Sequence, residues 1–102
     1  SGSAPAYFFL IFEAMEEAGV KQGLPTDTAR RLAMQTAFGA AKMAMASDKT
    51  PAELKRNVMS PGGTTERAIE HLERAGLRTT LAEAMDACAA RAREMADELD
   101  KN

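Results

Sequence analysis

Ser60-Pro61-Gly62-Gly63-Thr64-Thr65 gathers the groups of this chain best suited to chemistry. A proline and two glycines make a rigid turn, and the threonines behind them open an amphipathic helix. A helix N-terminus presents unpaired backbone N–H groups and partial positive charge, which together favour a small anion such as a carboxylate. Paired glycines allow φ > 0 and leave no Cβ between those donors and a ligand. The turn is not a nucleotide-phosphate loop: it lacks the lysine and spacing of G-x-x-x-x-G-K-[ST], and no strand signal precedes it. On residue types alone, a plain inter-helix turn and a carboxylate-binding turn stand level.

Other chemistry is thinly supplied. A single histidine, His71, and a single cysteine, Cys88, leave no clustered donors for zinc, so no metal site is expected. Serines, aspartates and His71 exist, but no spacing specific to a Ser–His–Asp triad joins them. His71 falls in mid-helix and reads as a partly exposed structural residue. Cys88 lies in an apolar stripe and reads as a small core residue; the methionines read as core packing, with a partner surface as the alternative. Glu13, Glu16 and Glu17 read as a solvated helix face.

The elements that must position the turn are helical. Valines are confined to Val20 and Val58, and Ala, Met, Leu, Glu and Arg dominate. The pattern predicts an all-α fold of about five helices. The first covers about 5–18, with Pro5 in the opening turn and a stop at Gly19. Phe8, Ile11, Phe12 and Met15 make one stripe on it, and Tyr7, Leu10 and Ala14 make a second, so it must be enclosed. The second covers about 26–46, entered through Gly23-Leu24-Pro25. Ala29, Leu32, Ala33, Thr36, Ala37 and Ala40 form one stripe, and Met34, Phe38, Ala41 and Met45 another. Gly39 costs about 1 kcal/mol there relative to alanine, which points to a close backbone approach. So many small residues on several sides ask for more neighbours than a short chain supplies, and an intertwined homodimer follows.

The third helix, about 50–59, starts with a capping box: Thr50 caps, Pro51 takes the first position and Glu53 reaches back. The fourth, about 64–75, is expected to bury Ala68, Ile69 and Leu72, to pair Glu70 with Arg74, and to end at Gly76. The fifth, about 77–99, carries Leu77, Leu81, Ala84, Cys88, Ala92, Met95 and Leu99 at spacings of three and four, a seam for another helix. Its tail from Asp97 is expected to fray.

At 102 residues, 45% apolar and 27% charged, the chain has the makings of one globular domain or part of one. A net charge of −2 lacks the concentrated basic face of a nucleic-acid platform, and a helix-turn-helix DNA binder is correspondingly weak. The apolar run 7–12 is too short for a bilayer span, which takes about 20 residues. One cysteine forms no internal disulfide, so a reducing, cytoplasmic compartment is the simpler expectation. The opening Ser1-Gly2-Ser3-Ala4-Pro5 lacks an initiator methionine. It reads as a cut with an upstream domain missing, the alternative being a cloning linker.

Beyond these readings, the stretch from Pro51-Ala52-Glu53-Leu54-Lys55-Arg56-Asn57-Val58-Met59 through Ser60-Pro61-Gly62-Gly63-Thr64-Thr65 to Glu66-Arg67-Ala68-Ile69-Glu70-His71-Leu72-Glu73 resembles the signature of pyrroline-5-carboxylate reductase. So do the opening 1–7, Glu17-Ala18-Gly19-Val20-Lys21-Gln22-Gly23-Leu24-Pro25 and Gln35-Thr36-Ala37-Phe38-Gly39-Ala40-Ala41-Lys42. The likeness runs through essentially the whole chain in order. Met59 stands where the family usually has a small residue and Ala4 where glycine is common; neither removes a group that carries chemistry.

The resemblance implies that residues 1–102 are a C-terminal helical dimerisation and substrate-binding domain, similar to that of 6-phosphogluconate-dehydrogenase-like reductases. The N-terminal Rossmann domain for NADPH or NADH would be absent from this chain. It implies reduction of the cyclic imine of 1-pyrroline-5-carboxylate to L-proline, with the isolated fragment inactive. It implies interleaved homodimers, some assembling to decamers, with each site formed between two subunits. By the same carry-over, Ser60, Gly62, Gly63, Thr64 and Thr65 would bind the substrate carboxylate, and Thr65 would be the catalytic residue, hydrogen-bonding the ring nitrogen to orient it, with proton delivery as the alternative role. Ser1, Gly2 and Ser3 would lie near the nicotinamide. From another class, the competing expectation is a non-catalytic helical oligomerisation or scaffold module.

Overall fold

Residues with good helix propensity and few β-branched neighbours leave the backbone little alternative to helix. The computed structural model describes residues 2–101. Among them are α1 (Ala4–Lys21), α2 (Thr26–Ala46), α3 (Pro51–Asn57), α4 (Thr64–Arg74) and α5 (Leu77–Asp100), and no strand. The all-α expectation holds. The chain forms two compact units that divide after Leu54.

In the first unit, α1 and α2 fold back on each other as a helical hairpin. The helix does not stop at Gly19, as the glycine suggested, but continues to Lys21. Gly19 serves contact instead: a Cβ there would lie 3.0 Å from Ala29 Cβ and 3.5 Å from Leu24 Cδ1. The stop comes at Gly23, with φ +105°. There the Leu24 N–H donates to Gly19 O at 3.0 Å and the Gly23 N–H to Val20 O at 3.0 Å, the paired bonds of a Schellman motif. Leu24, Met15 and Leu32 then close over the crossing with Ala29 and Ala33.

Only Ala29 and Ala33 are buried among the described residues, at 3% and 5% exposure. They belong to the Ala29–Ala40 stripe of the two that periodicity marks on α2. The other stripe stays open, with Phe38 at 71% and Met45 at 88% exposure. Phe8, Phe9, Leu10 and Ile11 of α1 are exposed as well, although Phe9 and Phe12 meet edge-on with centroids 6.3 Å apart. Nothing approaches within 4 Å of the place a Gly39 Cβ would occupy. Among the described residues the close approach expected at Gly39 is therefore not made; in the hairpin it falls at Gly19.

Glu16 corrects a second expectation. It is half-buried, not part of a solvated face, and accepts a hydrogen bond from Arg30 Nε across the hairpin. That bond first, and the carboxylate's charge second, push the Arg30 pKa up.

In the second unit, α3 ends at Asn57, and Val58 and Met59 leave it through i→i−3 bonds to Lys55 and Arg56. α4 and α5 meet at Gly76, whose φ of +85° turns the chain between them. Arg78 spans the junction, with Nε 2.8 Å from Glu73 Oε1 and Nη2 2.9 Å from Oε2. Among the described residues no ion pair joins Glu70 to Arg74; the α4 carboxylate that is paired is Glu73, with Arg78. The helix interiors expected here are not buried: Ile69 is half-buried, and Ala68, Leu72 and Cys88 are exposed. The seam of α5 is likewise open at Leu77, Leu81, Met95 and Leu99. Instead of fraying at Asp97, α5 runs to Asp100 and is closed by the Lys101 N–H donating to Asp97 O.

Candidate functional site

The turn before α4 is built by residue type. Pro61 fixes φ at the first central position, and Gly62 takes φ +72° at the second. The Gly63 N–H donates to Ser60 O at 2.9 Å, so 60–63 has the signature of a type II turn. Gly63 is small for a separate reason: a Cβ would sit 3.0 Å from Ser60 O and 3.3 Å from Ser60 Cβ. Gly63 then caps α4 in extended conformation, at φ −83° and ψ 177°, and its carbonyl accepts the first intrahelical bond from Arg67. Met59, half-buried just before, does not prevent this geometry.

Two helix starts in this chain can be compared residue by residue. At α3, the Glu53 N–H donates to Thr50 Oγ1 at 3.2 Å, and Glu53 Oε1 accepts from the Thr50 N–H at 3.2 Å, which completes the expected box. At α4 the cap is a glycine, with no side-chain oxygen to return the bond. The first-turn amides of Thr64, Thr65 and Glu66 therefore keep their donors, and both threonines are exposed beside them. Ser60, Gly62, Gly63, Thr64 and Thr65 thus come together as one turn and helix start. Not all its donors are open, however: the N–H groups of Gly62 and Gly63 are already taken from within the chain.

The acceptor for Gly62 is a residue that the motif reading passed over. Glu66 Oε1 takes the Gly62 N–H at 2.9 Å. Gly63 and Glu66 have the same three-residue offset as Thr50 and Glu53, which was the available signal. Here the glutamate reaches one residue further back, because the Gly63 N–H is engaged by Ser60.

At the other end of the chain, Ser1 lies outside the described residues. Gly2 is exposed, with nothing within 4 Å of where its Cβ would be, and the Ser3 carbonyl accepts the Ala6 N–H at the start of α1. Among the described residues no group of three or more His, Cys, Asp or Glu side chains is placed to hold a metal ion. Among the described residues no helix is long and apolar enough to cross a membrane.

Two small helical units, no strand among the described residues and long uncovered apolar stripes define the class of helical association domains. Comparison with known proteins makes this specific. The family described as pyrroline-5-carboxylate reductase dimerisation matches residues 1–95, and the chain belongs to that family. The pyrroline-5-carboxylate reductase of Pseudomonas aeruginosa is 50% identical over 99 residues, covering 97% of this chain and 36% of the relative. A solved pyrroline-5-carboxylate reductase from Coxiella burnetii superposes with a TM-score of 0.89 at 48% identity, over 92% of this chain and 35% of that one. The Plasmodium falciparum pyrroline carboxylate reductase, solved with NADP bound, gives 0.83 at 38% identity over 85% of this chain and 33% of its own. The chain thus spans about a third of the length of the relatives it matches. A dimerisation domain implies association of the chain with itself.

Proposed function

We propose that this chain is the C-terminal helical part of an NAD(P)H-dependent imine reductase that converts 1-pyrroline-5-carboxylate to L-proline, the last step of proline biosynthesis. Its share of the work is to join two subunits and to receive the substrate at the 60–65 turn. The observation that carries this reading is the start of α4, left without a side-chain cap in a chain of the reductase dimerisation family.

The substrate carboxylate is held by the first-turn amides of α4 and the hydroxyls of Ser60 and Thr64. Charge-assisted bonds of this kind are about twice as strong as neutral ones, and a helix start adds favourable potential. Thr65 hydrogen-bonds the ring nitrogen and sets the face the imine carbon presents. Its hydroxyl is a weak acid, so its work is orientation, and the proton that joins the ring nitrogen as hydride reaches the imine carbon comes from water at this exposed turn. NADPH or NADH, held mainly by a nucleotide-binding domain outside this sequence, supplies the hydride when bound. Gly2 and Ser3, with Ser1 before them, lie near the nicotinamide in this reading, and the open backbone at Gly2 leaves room for it. Two chains form the functional dimer, in the cytoplasm, with decamers as a further level of assembly.

The test is nicotinamide oxidation by the full-length protein with 1-pyrroline-5-carboxylate. Turnover that drops in Thr65→Ala supports the reading. A folded, cofactor-binding protein with no turnover would reduce the chain to an oligomerisation scaffold.

A further inference from the structure

From the geometry of the turn we infer that Glu66 is a positioning residue for substrate capture, acting by holding the Pro61–Gly62 peptide in one of its two orientations. This rests on the proposed reading of the 60–65 turn as the carboxylate site.

Type I and type II turns differ by a flip of the peptide between the two central residues, which here joins Pro61 to Gly62. In type II the second central residue has φ near +80°; in type I it is near −90°. Glycine tolerates both, so Gly62 permits the type II form without enforcing it. The N–H that moves in this flip is the Gly62 N–H, which Glu66 Oε1 accepts at 2.9 Å. A flipped peptide would turn the Pro61 carbonyl towards the Glu66 carboxylate in place of the N–H. The attraction is thereby lost and replaced by repulsion. The other internal bond, from the Gly63 N–H to Ser60 O, is common to both turn types and does not choose between them.

The consequence for function is pre-organisation. The turn fixes where Ser60 stands relative to the first-turn amides of Thr64 and Thr65. A turn that samples two forms binds an anion with the affinity of the competent form scaled by its population. Glu66 is itself in the first turn, so its charge also acts on the helix dipole, and the test must separate reach from charge.

Three variants of the full-length enzyme do so. Glu66→Gln keeps an acceptor oxygen at the same reach without the charge. Glu66→Asp keeps the charge but is one methylene too short, and Glu66→Ala removes both. Positioning by reach predicts that Ala and Asp raise the KM for 1-pyrroline-5-carboxylate about fivefold, the loss expected for one modest hydrogen bond. Gln stays within about twofold of wild type, and the KM for the nicotinamide cofactor does not move. Hydrogen exchange of the 60–66 segment should quicken in Ala and Asp and not in Gln. If Glu66→Ala does not fold, the Asp and Gln pair decides the question alone.

An Asp variant that behaves as wild type while Gln is impaired would assign the effect to charge and overturn the inference. So would an unchanged substrate KM in Asp and Ala while Thr65→Ala remains impaired, and in that case the site reading survives. If Thr65→Ala is silent too, the site reading fails and the inference falls with it.

Discussion

At residue scale, the chain separates two demands that glycine can meet. Gly62 is required by conformation, at φ +72°, whereas Gly63 is required by space, 3.0 Å from the Ser60 carbonyl oxygen. Gly62→Ala should cost about 1–2 kcal/mol in the turn, the usual penalty for a Cβ in the left-handed region. It should raise the substrate KM of the full-length enzyme and leave its circular dichroism unchanged; an unaltered KM would show that the turn's shape does not matter to binding. Thr65→Ala removes an exposed hydroxyl without touching the helix interior. Steady-state kinetics should show kcat/KM lower by about tenfold or more, as for loss of a hydrogen bond to the reacting group, with self-association intact by sedimentation. The turn at 60–63 was legible because proline followed by glycine is the residue pair a type II turn asks for. Glu66 was not, since its role depends on which N–H the turn has already used.

At the scale of elements, helix starts were readable, and the end of α1 was not. α2 begins at Thr26, α5 begins at Leu77 and the Thr50–Glu53 box forms, all as propensity and capping rules require. α1 overran its expected end because a glycine in a helix can mark either a stop or a contact. Only the position of Ala29 in the facing helix reveals which use applies. Gly19→Leu should therefore force the hairpin apart and lower stability by about 1–3 kcal/mol, the common cost of overpacking, read as a fall in melting temperature. An unchanged melt would mean that α1 and α2 do not need this contact.

The α4–α5 junction adds a pH dependence of definite sign. The hydrogen bond from Arg78, partly opposed by desolvation, holds the Glu73 carboxyl below the ordinary glutamate value of 4.5. A carboxylate whose folded pKa is depressed stabilises the fold above its unfolded pKa and loses that contribution as pH falls through the folded one. Arg78→Ala should thus melt slightly lower than wild type above pH 4.5, and the gap should close as the solution is acidified below it. A gap that persists in acid would rule out the ion pair as its cause. The pair is exposed, so the effect is small.

On the scale of the whole molecule, the governing fact is that the apolar stripes predicted from periodicity are real but mostly uncovered. Among the described residues the chain buries Ala29 and Ala33 and leaves Phe8, Phe9, Phe38, Met45, Leu81 and Leu99 open. Periodicity reports which residues avoid water and not which chain covers them, so Cys88 and Leu72 were assigned to an interior that one chain does not make. A family named for dimerisation supplies the physical reason. The surroundings of Gly39 locate a test: among the described residues a Cβ placed there meets nothing within 4 Å outside its own stretch of helix, so Gly39→Leu probes a contact between copies. It should leave helix content unchanged while weakening self-association in sedimentation; an unaltered dimer would remove Gly39 from the contact between copies.

The central claim is that this helical chain completes a reductase site at the α4 start, and kinetics on the full-length protein tests it most directly. Nicotinamide oxidation should be followed with 1-pyrroline-5-carboxylate for the wild type and for Thr65→Ala. The account predicts robust turnover by the wild type and a loss of about tenfold or more in the variant, with cofactor binding and dimer unchanged. Equal rates in the two proteins, or none in a folded wild type that binds cofactor, would contradict it.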